Sequence, residues 1–373
     1  MSSPNKTRRA LLLGAAIAVS LLVVGCSAQT NNKQNSLQPK GSAAKTIDNL
    51  FVPIAILAII IGILVIAATI YFAFRFRYRE GKNDNPKQIH GNTRLEIGWT
   101  IAPALLLAVI AVPSVSAIFK LAENPGPDAL QVTVIGKQWW WQFEYPDAKV
   151  VTADELVIPT GRDVHVKLKA CEDQVCNVIH SFWVPELAGT RDVVPGLTND
   201  LTLHTDRPGT YLGQCKEYCG LSHANMRFRV IAKTKSDFES WLSDQQQGPV
   251  NPLVDADGNP AGEAQRLIAN RFLCTNCHIF DDASKPSYGP NLTHIGSRDY
   301  FASATFPTNR KNLVDWIMNA PGLLPMQTEN EKCRPAPTAG CVGMPSFTQN
   351  AGNNPVMTRA EAEQIADFLL EQK

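Results

Sequence analysis

Along this chain the spacing of apolar positions changes character, and each change predicts a different kind of element. Residues 49–74 and 97–119 are apolar almost without interruption. Each run is long enough to cross a bilayer, because about 20 helical residues span the hydrocarbon core. Pro103 and Pro113 fall inside the second run, which a span tolerates where neighbouring groups satisfy the freed carbonyls. From residue 124 to about 232 the runs shorten. Segments 130–135, 155–158, 164–168, 200–204 and 226–231 are short apolar stretches separated by Pro and Gly turns, the pattern of a small Greek-key sandwich or barrel. A third pattern opens at residues 261–272, read as a helix. It follows a polar stretch that contains Gln245-Gln246-Gln247-Gly248-Pro249 and Asp257-Gly258-Asn259-Pro260.

The polar residues orient this plan. Arg75, Arg77, Arg79, Lys82, Lys87 and Arg94 make the loop between the two long runs basic, which places it on the cytoplasmic side. Everything after Leu121 then lies outside the membrane. Residues 1–26 read as a leader: Lys6, Arg8 and Arg9 precede an apolar stretch, 10–24, too short for a comfortable span. It ends Leu22-Val23-Val24-Gly25-Cys26, which resembles a bacterial lipobox and would make Cys26 a lipid-anchored N-terminus. A length of 373 residues suggests two or three units, and a net charge of +1 gives nucleic acid no footing. The expected organisation is a leader (1–26), a two-helix transmembrane hairpin with its N-terminal segment (27–122), an all-β domain (123–235), a linker (236–260) and a helical domain (261–373).

Chemistry concentrates in the outer part. Eight of the nine cysteines form close pairs, which in an exported protein are disulfides, metal ligands or haem attachment points. Cys215-Lys216-Glu217-Tyr218-Cys219-Gly220-Leu221-Ser222-His223-Ala224-Asn225-Met226 packs two thiols, an imidazole and a thioether into twelve residues, and His180 stands upstream in His180-Ser181-Phe182-Trp183. Thiolate, imidazole and a weak Met ligand make the donor set of electron-transfer copper. The second Cys allows two thiolates to bridge two ions, each with one histidine. A plain disulfide and a tetrahedral zinc site are the alternatives. The placement of Met226, the oxidising compartment and the distant His180 favour copper. Cys171 and Cys176 read as a separate disulfide pinning the loop before His180.

These strings resemble subunit II of cytochrome c oxidases. So do Leu95-Glu96-Ile97 with Trp99-Thr100, and Gln138-Trp139-Trp140-Trp141-Gln142-Phe143-Glu144-Tyr145-Pro146. The resemblance implies a cupredoxin-like domain holding a binuclear copper centre, CuA. Its ligands would be His180, Cys215, Cys219, His223, Met226 and the carbonyl of Glu217. It further implies a magnesium ion shared with subunit I at the Glu217 carboxylate, a surface tryptophan at Trp139 where electrons arrive, and a carboxylate at the mouth of a proton channel at Glu96. On the residues alone, Glu96 is either an interfacial group or part of a proton path. Side chains alternate along a strand, so at least one of the three tryptophans should be exposed or lie at an interface. Quinol oxidases have a subunit II of this fold without the copper ligands, whereas all of those ligands are present here.

Cys274-Thr275-Asn276-Cys277-His278 is the C-x-x-C-H attachment motif of c-type haem, with His278 as proximal ligand. Tyr288-Gly289-Pro290-Asn291-Leu292 resembles a segment of class I cytochromes c, an all-α fold whose closing helix residues 359–371 would supply. Met is the usual sixth ligand. Met344, in Gly343-Met344-Pro345 ahead of that helix, is favoured and Met326 is the alternative; Met318 and Met357 read as packing residues. Cys333 and Cys341 read as a disulfide closing the ligand loop. The whole resembles a caa-type oxidase subunit II in a bacterial plasma membrane. Its implied partners are oxidase subunits I and III, a small fourth subunit, and cytochrome c or a bc complex as donor. Oxygen reduction and the main proton translocation would lie in subunit I. The rivals are a nitric or nitrous oxide reductase, and a copper carrier or free electron shuttle.

Overall fold

A computed structural model describes residues 33–373 apart from 79, 81–87, 89, 172–176, 327–342 and 349–355. The leader, Cys26, Cys176, Cys333 and Cys341 lie outside the described residues. Helices α1 (Ser42–Arg75) and α2 (Thr93–Ala122) are the two long apolar elements. The Asn92 side chain caps α2 by accepting the N–H groups of Arg94 and Leu95, which satisfies two of the orphan donors of a helix start. Most of their length faces outward, as spans do. The outer end of α1 is different: the N–H groups of Gly41 and Ala44 donate to the carbonyls of Glu186 and Leu187, and the Thr205 hydroxyl donates to the Lys40 carbonyl. A side chain at Gly41 would collide with the Leu187 carbonyl, so only glycine allows this approach.

Ten strands follow: β1 (Leu130–Lys137), β2 (Trp140–Tyr145), β3 (Val150–Ala153), β4 (Glu155–Pro159), β5 (Val164–Ala170), β6 (His180–Trp183), β7 (Thr190–Val193), β8 (Thr198–Leu203), β9 (Gly209–Cys215) and β10 (Arg227–Lys233). They form two five-stranded sheets, ordered β3-β2-β1-β5-β8 and β4-β10-β9-β6-β7. Strand β1 alternates buried and half-buried positions, the period-two signature of a face packed on a core. That core holds Trp141, Phe143, Phe182 and Phe228, all essentially inaccessible. The rings of Phe182 and Phe228 stack at 4.4 Å and the edge of Trp141 meets both. Each buried phenylalanine contributes on the order of 2–3 kcal/mol. Tyr145 closes one corner, where its hydroxyl donates to the Val157 carbonyl and accepts the Val157 N–H.

The expected linker does not begin as one. Residues Lys235–Gln245 form helix α3, capped by Thr234, with Phe238 buried and Trp241 edge-on to Tyr145 at 5.4 Å. Two aromatics at i and i+3 suffice to fix this helix to the sandwich despite its polar composition. Beyond it, α4 (Glu263–Arg266) passes into a π-helical turn (Leu267–Arg271), so the segment expected as one helix is shorter and wound differently. A two-residue hairpin, β11 (Tyr300–Phe301) with β12 (Phe306–Pro307), precedes α5 (Arg310–Leu323) and α6 (Arg359–Glu371). Helix α6 carries a full capping box between Thr358 and Glu361. These elements enclose a second core that includes Ile268, Phe272, Leu313, Ile317, Ile365 and Phe368.

Candidate metal centre

Strand register gathers the donors. His180 opens β6 and Cys215 ends β9, and these strands pair with Phe182 opposite Cys215. The loop that follows is closed at its base, where the Cys215 N–H donates to the Met226 carbonyl at 2.9 Å. Inside the loop a short 3-10 turn (His223–Asn225) folds His223 and Met226 back toward the cysteines. The result is a chain of contacts. His180 Nδ1 lies 3.9 Å from Cys215 Sγ, which is 3.2 Å from the Glu217 carbonyl oxygen and 3.9 Å from Cys219 Sγ. Cys219 Sγ is in turn 3.6 Å from His223 Nδ1 and 3.7 Å from Met226 Sδ.

A sulfur–sulfur separation of 3.9 Å excludes the disulfide alternative, since that bond is about 2.05 Å long. The Cys219 thiol hydrogen-bonds to Cys215 and, against the cost of burial, holds the Cys215 thiol down to about 4, with His180 adding to the effect. The same contact pushes the Cys219 thiol upward. So close a pair ionises one thiol at a time unless a cation lies between them. Two soft sulfurs, two imidazole Nδ1 atoms, a thioether and a carbonyl suit copper, and the residues present fit a binuclear ion pair. The sequence did not single out Gly136 on β1. A Cβ there would lie 2.8 Å from the His180 ring, so glycine at this position lets His180 reach the cysteines.

Trp139 differs from its expected place. It is 6% exposed, Trp140 and Trp141 are buried with it, and none of the three lies on open surface. Its indole N–H donates to the Cys219 carbonyl at 3.0 Å, and Gln138 donates to the same oxygen at 2.6 Å. The Ser303 hydroxyl, from the C-terminal region, donates to the Trp139 backbone carbonyl. The Glu217 carboxylate is exposed, and Glu96 stands in the first turn of α2.

In the C-terminal region Cys274 and Cys277 are free thiols; Cys274 opens a 3-10 turn (Cys274–Asn276), Cys277 caps it and His278 follows directly. The His278 Nδ1–H donates to the Pro290 carbonyl at 2.8 Å, which leaves Nε2 free of its proton to ligate a metal. Gly289 lies so close that a Cβ would meet this ring at 2.6 Å. Burial pushes the Cys274 thiol up to about 12, raises Cys277 and lowers His278; the surroundings favour neutral thiols and a neutral imidazole. The chemistry and the cradle fit a covalently attached haem. The two methionine candidates separate. Met344 packs against the helical core, whereas Met326 packs against the sandwich core and its sulfur lies 3.3 Å from the Met344 N–H. Cys171 is disulfide-bonded, and its expected partner Cys176 lies outside the described residues.

The family model for the transmembrane domain of cytochrome c oxidase subunit II matches residues 17–117, and that for its periplasmic domain matches residues 152–233. Cytochrome c oxidase subunit 2 of Alkalihalophilus pseudofirmus is 34% identical over 314 residues, covering 82% of this chain and 86% of that protein. The chain belongs to the cytochrome c oxidase subunit II family. This subunit II is a membrane protein with two apolar helices and a copper-binding cupredoxin-like domain on the outer side. Quinol oxidase subunit 2 of Bacillus anthracis is 34% identical over 246 residues, but covers only 63% of this chain and 80% of its own length. The periplasmic domain of subunit II of cytochrome oxidase from Bradyrhizobium japonicum is 25% identical, covering 33% of this chain and 97% of that one, with a TM-score of 0.31. The subunit II assignment makes CuA the point at which electrons reach the oxidase.

Proposed function

We propose that this subunit II is a two-carrier relay, with CuA held by His180, Cys215, Cys219, His223, Met226 and the Glu217 carbonyl, and a haem c held by Cys274, Cys277, His278 and Met344. When bound, the two groups supply one-electron chemistry in series, and delivery to a haem in subunit I serves oxygen reduction to water with proton translocation. The observation that carries this reading is the convergence of six donors, drawn from β6 and one closed loop, on a pair of thiols 3.9 Å apart. The chain's own part is to fix geometry. The sandwich fixes the donors through strand pairing and the bond that closes the loop, which limits rearrangement on electron transfer. Support for the haem comes from the Cys274-Thr275-Asn276-Cys277-His278 string and from the Pro290 contact to His278. Met344 is preferred over Met326 because it belongs to the helical core.

The finer assignments come from the family resemblance. Glu217, exposed at the tip of the loop, would hold magnesium against subunit I. Glu96 would stand at a proton-channel mouth in that subunit. Subunits I and III, a small fourth subunit and a cytochrome c or bc-complex donor complete the assembly, and Cys26 would add a lipid anchor. The test is metal analysis and redox spectroscopy of the purified full chain, matured with haem and copper. Two coppers and one covalent haem per chain, with a mixed-valence copper signal, are expected. A single zinc, or a Cys215–Cys219 disulfide in place of copper, would overturn the copper assignment; the absence of covalent haem would overturn the second carrier.

A further inference from the structure

Four observations meet where the C-terminal region lies on the sandwich. First, Asp154 and Glu155, at the turn between β3 and β4, are buried to 2% and 5% exposure. Second, their carboxylates are spent on backbone donors. Asp154 accepts the N–H of Trp141 at 3.0 Å from its own domain and the N–H of Ser303 at 2.8 Å from the C-terminal region. Glu155 accepts the N–H of Tyr300 at 3.0 Å. Third, the residues that present those donors are wound the wrong way. Ala302, Ser303 and Ala304 have φ of 52°, 57° and 51°. For L-residues that conformation costs about 1–2 kcal/mol each and is rarely sustained for three in succession; it persists where surroundings over-determine it. Fourth, the cations at this seam come from both sides. Arg298 is buried and its charge acts on both carboxylates, while the Arg229 guanidinium lies 3.2 Å from the centre of the Tyr300 ring.

We propose that residues 298–305 form a clasp in which Asp154 and Ser303 are positioning residues, seating the C-terminal region permanently over Trp139. Ser303 is the pivot. Its amide is taken by Asp154 and its hydroxyl by the Trp139 carbonyl, while the Trp139 indole donates to the Cys219 carbonyl. A hydrogen-bonded path thus runs from the clasp through Trp139 to the copper loop. The left-handed turn is the cost of aiming one residue's N–H and O–H at two acceptors at once. Further bonds continue the seam: the Lys137 ammonium to the Ser287 carbonyl, the Val151 N–H to the Ala283 carbonyl, and the Ser222 hydroxyl to the Pro325 carbonyl. The clasp charges are buried, so salt screens them far less than it screens surface pairs. Two consequences follow. The surface around Trp139 is closed to soluble electron donors. Transfer from the C-terminal region to copper, which rests on the haem reading above, proceeds from one fixed pose rather than from a swinging domain.

The test is amide hydrogen exchange on the full cofactor-loaded chain, comparing wild type with Asp154→Asn and Ser303→Ala. An asparagine has one acceptor oxygen for two N–H donors. Exchange across residues 300–306 should therefore quicken by about tenfold or more, with the β9–β10 amides unchanged. Ser303→Ala keeps the amide and loses only the hydroxyl, so it should give a smaller increase, and it stands in if Asp154→Asn fails to fold. Copper reduction after photochemical electron injection into the haem should be independent of ionic strength in wild type and become salt-dependent in Asp154→Asn. Wild-type exchange at residues 300–306 as fast as in an unstructured peptide, or insensitive to both substitutions, would overturn the clasp. Exchange requires no haem, so a chain lacking covalent haem would sink the relay and leave the clasp to be judged on its own.

Discussion

The sandwich gathers the copper ligands, and the C-terminal region would gather those of the proposed haem, but the two do so by opposite means. In the sandwich, five donor residues come from one twelve-residue loop and the sixth from the adjacent strand β6, over an aromatic core that is complete without any cofactor. In the C-terminal region the Cys274-to-His278 string proposed to attach haem begins on a 3-10 turn, and Met344 lies across the segment 327–342, which is outside the described residues. Its core is smaller, and part of its surface is finished by the sandwich. The first site rests on sheet pairing and an aromatic core. The second would be completed by the group it holds and by the domain it leans on.

Removing the haem attachment is the harshest way to break this contrast. In Cys274→Ser/Cys277→Ser the covalent haem absorbance should vanish completely. Amide protection in α5 and α6 should fall while the β-sheet amides and copper content hold; equal protection in both regions would show that the helical core does not need the cofactor. A second test presses on the self-sufficient site. Gly136→Ala drives a methyl to 2.8 Å from the His180 ring, and overpacking of this kind costs about 1–3 kcal/mol. Copper loss to a chelator should accelerate by about tenfold or more, with haem content unchanged; an unchanged rate would mean His180 can reach copper by another path.

The mildest test is pH. Burial raises Asp154 to about 6 and Glu155 to about 7, opposed by backbone donors and by Arg298, with Asp299 adding to the rise at Glu155. Arg229 stands on the same seam over Tyr300. Carboxyls raised in the seated state bind protons more tightly there than when released. Their stabilising effect is full below the ordinary carboxyl range near 4 and is lost as pH rises through 6 to 7. Between pH 8 and pH 6 the seat should tighten by about tenfold through Glu155, whose protonated form keeps an acceptor oxygen for the Tyr300 N–H, read as protection of residues 300–306 after correction for intrinsic exchange. Loosening on acidification would reverse the sign and show that Arg298 outweighs burial.

The spans, the all-β pattern and the copper loop were legible because each is local: continuous apolar runs, short apolar stretches between turns, and donors close in sequence. His180 was read as an upstream donor from its own string, but its route to the loop, by sheet pairing, was not legible. The fate of Trp139 was not legible. Its cover, Ser303, is 164 residues away and carries no sign of what it will touch. Gly136 was invisible for the same reason, because the ring it accommodates lies on the other sheet. Helix α3 was hidden by its polar composition, with Phe238 and Trp241 as the only signal. Local chemistry was readable, and contacts between distant segments were not.

Helix α1 has 34 residues, about 51 Å at 1.5 Å per residue, while a bilayer's hydrocarbon is about 30 Å thick. The excess is a strut. Its top is joined to the sandwich through the bonds of Gly41 and Ala44 to Glu186 and Leu187, with no flexible joint between span and domain. Height above the lipid and heading about the membrane normal are therefore transmitted along one rigid rod. Inserting a single residue in its upper turns would raise the sandwich by about 1.5 Å and swing it through about 100°, aiming the copper loop away from the plane it was built to face.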